Sequence, residues 1–284
     1  MRRVVLVLAT MALAILLACG VAQAIINGEP DRGPKAHPYV GAYVAYIEGW
    51  KLRPVCSGTL ISPKVFLTAG HCTEFDIENN LPVYVSFDPT YKPGASQLIK
   101  GTPYLHPKYC IPDAEDKVDC APQVPTEALL AHEWRYDVGV VVLEEPVRMA
   151  TYGALPKAGL VETLKEGQRL TAVGYGTTGY EIGGEAPPRP QLNYPYDRYR
   201  ATVRLLNTRD PDVGEMFVKT TGVSLIRGKG EAPCSGDSGG PLFLPDQQTI
   251  VGVTSFHIAP VCRGPEYYQR MDLPRVLKWV RSFP

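Results

Sequence analysis

Short apolar or alternating segments, each ended by glycine or proline, recur along this chain and restrict its fold more than any other feature. They are rich in valine, threonine, tyrosine and phenylalanine, as in PYVGAYVAYI, KVFLTAG, LPVYVSF and TIVGVTSF. Glycine and proline contribute 27 residues each, which favours many turns over long helices. The pattern predicts an all-β fold, either a sandwich or a barrel. Helical spacing is clear only at the C-terminus, in LPRVLKWVRSF.

The N-terminal segment, residues 1–24, has the layout of a secretory signal peptide. Arg2 and Arg3 precede an apolar run over residues 4–18, and small residues at Ala22 and Ala24 form an A-x-A cleavage site. A retained membrane anchor is the alternative, but the run is short for a helix that spans a bilayer. We therefore expect cleavage after Ala24 and secretion, with no membrane attachment of the mature chain.

Cysteine usage fits an exported chain. Six of the seven cysteines follow the signal segment, and an even number in such a chain suggests three disulfides. Zinc binding is the alternative, but no pair has the C-x-x-C spacing that structural zinc sites favour. The seventh, Cys19, ends the segment LLAC, which loosely resembles the cleavage box of bacterial lipoproteins, so a lipid anchor at Cys19 is a second interpretation. The other six are Cys56, Cys72, Cys110, Cys120, Cys234 and Cys262.

The charge balance and two long loops narrow the classes of ligand. The chain has 29 basic and 29 acidic residues, which argues against binding to nucleic acid through its phosphates. Residues 107–133 gather several acidic side chains, but their spacing matches no EF-hand calcium loop, so we expect a solvated surface there. Residues 177–197, rich in proline and glycine, predict an exposed loop. We expect no metal and no cofactor.

Three polar residues stand where nucleophilic catalysis needs them. Ser238 lies in APCSGDSGGP, among glycines that would let the backbone approach a substrate closely. A nucleophilic serine needs a base, and His71, in LTAGHC, ends an apolar segment beside a cysteine that can hold it in place. Asp137 opens the apolar segment YDVGVVVL, where an aspartate without hydrogen bonds would be costly. These three residues are the candidates for a catalytic triad.

Four motifs in this order, IING, TAGHC, YDVGVVVL and GDSGGP, resemble those of the chymotrypsin-like (trypsin-like) serine proteases, over residues 25–284. The resemblance implies an all-β fold of two six-stranded antiparallel barrels, about 25–150 and 151–284, with a C-terminal helix and an active site between the barrels. It also implies a monomer that acts on proteins or peptides. GDSGG matches the G-x-S-x-G motif of lipases and esterases too, but that fold needs alternating helices and the triad order Ser, Asp, His.

The resemblance assigns a role to each candidate. Ser238 would be the nucleophile, His71 the general base and then acid, and Asp137 the group that fixes the histidine tautomer. The backbone N–H groups of Gly236 and Ser238 would form the oxyanion hole. The resemblance also implies disulfides between Cys56 and Cys72 and between Cys234 and Cys262, and it leaves Cys110 and Cys120 as an additional local pair.

Substrate preference is left open by the residues that the resemblance places at the primary pocket. Ala232 stands where an aspartate would select lysine or arginine. Glu266 aligns with another position on the pocket floor. If Glu266 points inward, basic or amphipathic residues are expected before the scissile bond; if it turns to solvent or pairs with Arg263 or Arg270, small or medium apolar ones are expected. The remaining predicted pocket residues are Ser255, Phe256 and His257.

The same resemblance implies that activation depends on a new N-terminus. Family members are usually zymogens, in which a cut exposes an apolar residue that inserts beside the aspartate preceding the serine. Ile25 and Asp237 would form that pair, and cleavage after Ala24 would expose Ile25 without a propeptide, whereas lipidation at Cys19 would require a second cut. The expected function is a secreted serine endopeptidase. The alternative is a catalytically inactive homologue that acts as a binding protein, which the intact triad does not favour.

Overall fold

The computed structural model describes most of the chain beyond the predicted signal segment. The predicted cleavage after Ala24, the alternative anchor at Cys19 and the predicted pair of Cys110 and Cys120 lie outside the described residues. No helix within the described part of the chain has both the length and the apolar character needed to span a membrane. The described residues are 25–47, 51–109, 136–177, 180–182, 190–192, 196–209, 214–224, 226–257 and 262–284.

The first barrel is a closed sheet of six antiparallel strands that follow a short strand near the N-terminus. The strands are β1 (Glu29–Pro30), then β2 (Val40–Ile47), β3 (Lys51–Leu60), β4 (Val65–Thr68), β5 (Val83–Ser86), β6 (Ile99–Leu105) and β7 (Gly139–Leu143). The barrel runs β2-β3-β4-β7-β6-β5 and closes between β5 and β2. A Cβ atom at Gly58 would lie 2.4 Å from the ring of Phe66. The close packing of β3 on β4 therefore requires glycine at this position.

The second barrel is formed by six further strands. They are β8 (Arg169–Gly174), β11 (Tyr199–Asn207), β12 (Phe217–Thr220), β13 (Pro241–Phe243), β14 (Ile250–His257) and β15 (Glu266–Arg270), while β9 (Tyr180–Ile182) and β10 (Pro190–Leu192) form a separate two-stranded sheet. The order is β11-β12-β15-β14-β13-β8, with β8 paired back to β11, and β1 adds to β11 as well. The prediction of two six-stranded antiparallel barrels is confirmed.

Two α-helices occur in the described residues, α1 (Gly70–Glu78) and α2 (Pro274–Val280). The C-terminal helix was predicted, and it begins at a proline and buries Val276 and Val280. Helix α1 was not predicted, because it has no apolar stripe: its buried side chains include Asp76, whereas Phe75 is 61% exposed. Tyr43 in the first barrel donates a hydrogen bond to the Asp76 carboxylate over 2.6 Å. Tertiary contacts rather than amphipathic spacing therefore stabilise α1.

The first and the last described segments of the chain lie on different barrels. Ile25 is fully buried in the core of the second barrel, beside β11 residues, although it precedes the first barrel in the sequence. Helix α2 follows the second barrel, but Val276 and Val280 belong to the core that contains the first barrel. Trp279 of α2 makes an edge contact with the His106 ring at 5.0 Å between centroids. The segment at Ile25 and helix α2 thus each pack on the barrel that is farther from them in the sequence.

A buried ion pair adds a polar link between the N-terminal segment and both barrels. Asp31 is fully buried and accepts hydrogen bonds from Arg198 Nε and from the backbone N–H of His37, each over 2.8 Å. Arg198 Nη1 donates to the carbonyl of Val40 in β2 over 3.1 Å. Burial alone would raise the pKa of Asp31, but the hydrogen bonds and charge of His37 and the charge of Arg198 hold it below its usual value. The carboxylate is therefore ionised and fully hydrogen-bonded.

Candidate active site

His71 and Asp137 form a hydrogen-bonded pair between α1 and the start of β7. His71 lies in the first turn of α1, and Asp137 comes two residues before β7. Nδ1 of His71 lies 2.9 Å from Oδ2 of Asp137, and the backbone N–H of His71 donates to Oδ1 over 2.9 Å. A carboxylate only accepts hydrogen bonds, so the ring proton belongs on Nδ1. Nε2 is thereby left as the basic nitrogen of the imidazole.

Asp137 is fully buried, and a third donor reaches it. Ser255 Oγ donates to Oδ2 over 2.5 Å. Burial alone would raise the pKa of Asp137, but the charge of His71 and the hydrogen bonds from His71 and Ser255 outweigh it, and the pKa lies below its usual value. Burial alone would lower the pKa of His71, but the Asp137 carboxylate raises it above its ordinary value. The pair therefore combines an ionised acid with a histidine that accepts a proton readily.

Ser238 lies on a turn whose path depends on glycine. Gly236 and Gly239 adopt φ values of +93° and +81°, a region that side chains of L-residues rarely occupy. A Cβ atom at Gly239 would lie 2.1 Å from Thr68 Oγ1 and 2.3 Å from the carbonyl oxygen of Ser57. The turn around Ser238 is therefore held close against the first barrel, and only glycine permits that approach.

Two disulfides support these loops, and they join the pairs that the resemblance implied. Cys56 of β3 is bonded to Cys72, the residue after His71, and Cys234 is bonded to Cys262. Sulfur and nitrogen atoms of Cys56, Cys72 and His71 lie within 4.8 Å of one another. Metal binding requires free thiolates, so this cluster is a disulfide beside a histidine rather than a metal site.

A cavity of about 260 Å³ lies beside Ser238. The nucleophile candidate and four predicted pocket residues line it: Ser238, Ser255, Phe256, His257 and Glu266. The other lining residues are Pro233, Cys234, Ser235 and Thr254. Phe256 is stacked on Tyr267 with ring centroids 4.8 Å apart, which fixes one wall of the cavity. Ala232, another predicted pocket residue, is buried, and its backbone pairs with Ile26; its place in the substrate pocket stays a prediction.

Glu266 points into this cavity and not toward solvent. It is only 2% exposed, and its Oε1 has no hydrogen-bond partner among the described residues. Burial raises the pKa of Glu266 to about 9, and the charge of Asp237 adds to the rise. Arg270, one of the two suggested partners, pairs with Asp272 through two hydrogen bonds of 2.9 Å. The burial of Glu266 favours the inward alternative, which stays a prediction.

Comparison with known proteins assigns the chain to a family. The family model described as Trypsin matches residues 25–280. The chain belongs to the trypsin family. Spermosin of Halocynthia roretzi is 26% identical in an alignment of 258 positions that covers 84% of this chain but only 58% of spermosin. The cercarial protease of Schistosoma mansoni is 26% identical over 270 residues, 91% of this chain and 89% of that protein. Trypsin-family proteases are therefore similar to this chain over most of its length.

Solved structures of trypsin-family proteins share the fold. Neuropsin, a serine protease expressed in the limbic system of mouse brain, aligns with a TM-score of 0.61 at 21% identity, over 91% of this chain and 99% of neuropsin. Human heparin binding protein aligns with a TM-score of 0.58 at 19% identity, over 91% of this chain and 96% of that chain. At these identities the likeness establishes the two-barrel architecture.

Both residues of the predicted activation pair are buried in this trypsin-family chain. The side chain of Ile25 is buried, and the next residue, Ile26, exchanges backbone hydrogen bonds of 2.9 and 3.2 Å with Ala232. Asp237 is 1% exposed, and its carboxylate accepts the backbone N–H of Gly176 over 2.8 Å. Burial raises the pKa of Asp237 to about 7. No ion pair to Asp237 occurs within the described ranges.

One residue that contacts the nucleophile turn was not found by sequence reasoning. Ser57 is fully buried in β3, and its backbone N–H donates to the carbonyl oxygen of Ser238 over 2.7 Å. Its hydroxyl donates to the carbonyl oxygen of Gly236 over 2.9 Å. A signal was present in the sequence, because Ser57 directly follows Cys56 and the disulfide of Cys56 ends beside His71.

Proposed function

We propose that this chain is a secreted serine endopeptidase that cleaves peptide bonds through an acyl-enzyme intermediate. The observation that carries the proposal is the pair of His71 and Asp137, because a neutral imidazole with a fixed tautomer is the base that a nucleophilic serine needs. Ser238, on the glycine-dependent turn beside the cavity, is then the nucleophile. Family membership supports the same reaction class.

The reaction follows from these roles. Ser238 Oγ attacks the carbonyl carbon of the scissile bond while Nε2 of His71 accepts the hydroxyl proton, and the C=O electron pair moves onto oxygen. The N–H groups of Gly236 and Ser238 stabilise that negative charge. The adduct then expels the amine, which takes the proton from His71, and an ester remains on Ser238. Water then attacks the ester carbonyl while His71 accepts its proton, and the second adduct releases the carboxylic acid as Ser238 Oγ takes that proton back from His71. Asp137 stays ionised and stabilises the imidazolium of each step.

Glu266 sets the preference for the residue before the scissile bond. The cavity is small enough for a single side chain, and its lining contains carboxyl and hydroxyl groups but no lysine or arginine among the described residues. A basic side chain would supply the donor that Oε1 lacks and the opposite charge that a buried carboxylate needs. The proposed substrates are therefore proteins and peptides with lysine or arginine at this position.

The N-terminus completes the proposed enzyme. Cleavage after Ala24 would leave an α-ammonium group on Ile25, next to the Ile26 segment that pairs with Ala232. Asp237, five residues after Ala232, is a buried carboxyl with a raised pKa, and an ammonium group beside it would favour its ionised form. We propose that signal peptidase alone generates this active N-terminus. N-terminal sequencing of the secreted protein should therefore read IINGEP.

Labelling with a fluorophosphonate tests the enzyme proposal. The chain that begins at Ile25 should label covalently at Ser238 and hydrolyse casein, and Ser238→Ala should abolish both. Ser282→Ala, which removes an exposed serine near the C-terminus, is the matched control and should behave as the wild type. Absence of labelling in the folded wild type would contradict the proposal.

The alternative function is a binding protein that has lost catalysis. Human heparin binding protein has the same fold and is named for binding, so the fold alone does not separate an enzyme from a binding protein. The hydrogen-bonded pair of His71 and Asp137 favours the enzyme, because a binding surface has no need of a buried carboxylate that orients an imidazole. Peptide hydrolysis that depends on Ser238 would decide between the two.

A further inference from the structure

Ser57 makes four hydrogen bonds around the nucleophile turn, two through its hydroxyl and two through its backbone. Its hydroxyl donates to the carbonyl oxygen of Gly236 and accepts the backbone N–H of Tyr175, both over 2.9 Å. Its backbone N–H donates to the carbonyl of Ser238 over 2.7 Å. Its own carbonyl accepts the hydroxyl of Thr68 over 2.8 Å. Ser57 thus holds the turn on both sides of Asp237.

We propose that Ser57 is a positioning residue that sets the orientation of the oxyanion hole, a role that rests on the proposed function. The peptide plane between Gly236 and Asp237 lies between the two proposed donors, the N–H groups of Gly236 and Ser238. Because a peptide unit is planar, a hydrogen bond to the Gly236 carbonyl fixes the orientation of that whole plane. The hydrogen bond from the N–H of Ser57 to the Ser238 carbonyl fixes the peptide plane between Ser238 and Gly239.

The hydrogen bond from the Ser57 hydroxyl matters because the backbone of the turn at Gly236 has wide conformational freedom. Gly236 has a φ of +93°, and a glycine has wide backbone freedom on both sides of φ = 0°. The N–H of Asp237, in the same peptide plane as the Gly236 carbonyl, donates to the carbonyl of Cys234 within the turn over 2.9 Å, and the bond from the Ser57 hydroxyl ties this plane to the first barrel. Donors in an oxyanion hole are effective only when they are oriented before the charge develops. The Ser57 hydroxyl supplies that orientation from the first barrel.

The same contacts connect this orientation to the second barrel. Tyr175 and Gly176 follow β8, and their consecutive N–H groups hold two parts of the turn. The N–H of Tyr175 binds the Ser57 hydroxyl, which binds Gly236, and the N–H of Gly176 binds the carboxylate of Asp237 over 2.8 Å. The hydroxyl of Ser57 is therefore the point at which the first barrel, the second barrel and the turn meet.

Only a hydroxyl fits this position. The side chain must donate to a carbonyl and accept from an amide at the same time, which serine and threonine can do and alanine cannot. A Cβ atom at Gly174 would lie 3.0 Å from Ser57 Oγ, and one at Gly240 would lie 3.4 Å from Ser57 Cβ, so the surroundings are close-packed. Removal of the hydroxyl leaves a buried N–H and a buried carbonyl without their partner.

The test compares ligands that form an oxyanion with ligands that do not. In Ser57→Ala, kcat for a peptide amide should fall about 10- to 100-fold, with KM unchanged within about twofold, because one aligned donor is worth at least that much. The inhibition constant of a peptide aldehyde, which forms a hemiacetal oxyanion on Ser238, should weaken by a similar factor. That of the matching peptide alcohol should not change. Ser86→Ala, which removes a buried hydroxyl elsewhere in the first barrel, should leave all three values unchanged.

A second pair of variants covers the case in which Ser57→Ala does not fold. Threonine and valine have the same shape, so Ser57→Thr should keep most of the aldehyde affinity and Ser57→Val should lose it. Equal losses for aldehyde and alcohol, or equal aldehyde binding by the threonine and valine variants, would overturn the positioning role. A wild type that neither labels nor hydrolyses peptides would overturn the proposed function and this role with it. An active wild type with an equally active Ser57→Ala would overturn the role of Ser57 alone.

Discussion

Glu266 and His257 lie directly opposite each other on β15 and β14, and both side chains line the cavity beside Ser238. Burial raises the pKa of Glu266 to about 9 and lowers the pKa of His257. At neutral pH the pair is therefore an uncharged acid beside an uncharged imidazole. A lysine or arginine side chain that enters the cavity would bind best after Glu266 loses its proton, so substrate binding should release a proton.

The affinity for a cation should therefore rise with pH. Between about pH 6 and 9, the affinity of the Ile25 chain for benzamidine should increase by up to tenfold per pH unit, since the ionised fraction of Glu266 grows by that factor below its pKa. The affinity for the uncharged analogue benzamide should stay nearly constant. Isothermal titration calorimetry in two buffers of different ionisation enthalpy would measure the released proton. Glu266→Gln should abolish both the slope and the release, and a slope that survives this substitution would exclude Glu266 as its origin.

The Ile25 and Asp237 pair should change how stability depends on pH. Burial raises the pKa of Asp237 to about 7, so the folded state retains the proton to higher pH than the unfolded state, and stability falls as the pH rises from about 4 to 7. An α-ammonium group on Ile25 would lower this pKa and remove up to roughly 4 kcal/mol of that loss. The free energy of unfolding, measured in urea at pH 5 and at pH 8, should show how much stability is lost between the two pH values.

The matched comparison uses a chain that keeps Ala24 before Ile25. That chain should lose more stability between pH 5 and pH 8 than the chain that begins at Ile25, and it should also be less active. In the background of Asp237→Asn the two chains should respond equally to pH. Identical profiles for both chains with Asp237 intact would show that no ammonium reaches the carboxylate.

Ser255 should affect turnover more than binding. Ser255→Ala removes one of the hydrogen bonds to the Asp137 carboxylate, and a hydrogen bond to a buried charge is worth a loss of about tenfold in kcat. Asp137→Asn should cost about 10⁴-fold, the size of loss typical for this carboxylate in serine proteases. Steady-state kinetics on one peptide substrate measures the loss in kcat for both variants. Ser255→Thr, which keeps the hydroxyl, is the control. A loss in Ser255→Ala as large as that in Asp137→Asn would indicate that the serine does more than support the carboxylate.

Asn27 connects the N-terminal segment to the wall of the cavity. Its Nδ2 donates to the carbonyl oxygens of Gly228 and Gly230 over 3.2 and 2.8 Å. A Cβ atom at Gly230 would lie 2.5 Å from the carbonyl oxygen of Gly222, and one at Gly222 would lie 3.3 Å from Cγ of Glu266. These close approaches form a continuous path from Asn27 to the carboxyl that we propose to bind the substrate.

Asn27→Gly should therefore weaken binding in the cavity. Asn27 has a φ of 58°, which glycine tolerates, so this substitution removes the two hydrogen bonds without new backbone strain. The inhibition constant of benzamidine should rise about three- to tenfold, as expected for the loss of one or two exposed hydrogen bonds, while the rate of fluorophosphonate labelling should change less. An unchanged inhibition constant would show that the cavity wall does not depend on Asn27.

The fold and the pair of His71 and Asp137 could be predicted because local signals determine them. Short strands between turn residues indicate a sandwich or a barrel, and the family resemblance implied two barrels. His71 follows one apolar strand, and Asp137 precedes another. Helix α1 could not be predicted in this way. Its residues GHCTEFDIE bury polar Thr73 and Asp76 and expose Phe75, so the sequence has no helical apolar face.

The direction of Glu266 and the role of Ser57 depend on contacts between distant parts of the chain. All five residues of β15 are buried, so the strand has no alternation of apolar and polar residues that would show which face Glu266 occupies. Ser57 binds Tyr175 and Gly236, which are 118 and 179 positions away in the sequence. Neither property could be read from a local pattern, because each is created only when both barrels are assembled.

The exchanged positions of strand β1 and helix α2 make the two barrels interdependent. Strand β1 precedes the first barrel in the sequence but pairs with β11 of the second barrel. Helix α2 follows the second barrel in the sequence but packs in the core that contains the first barrel. Proteolytic cleavage of the connection near residue 150 should therefore leave the two fragments associated, since β1 would still pair with the second barrel and α2 would still pack on the first. Half of this molecule produced in isolation would lack the segment that shields its interior, and the cleft would never form.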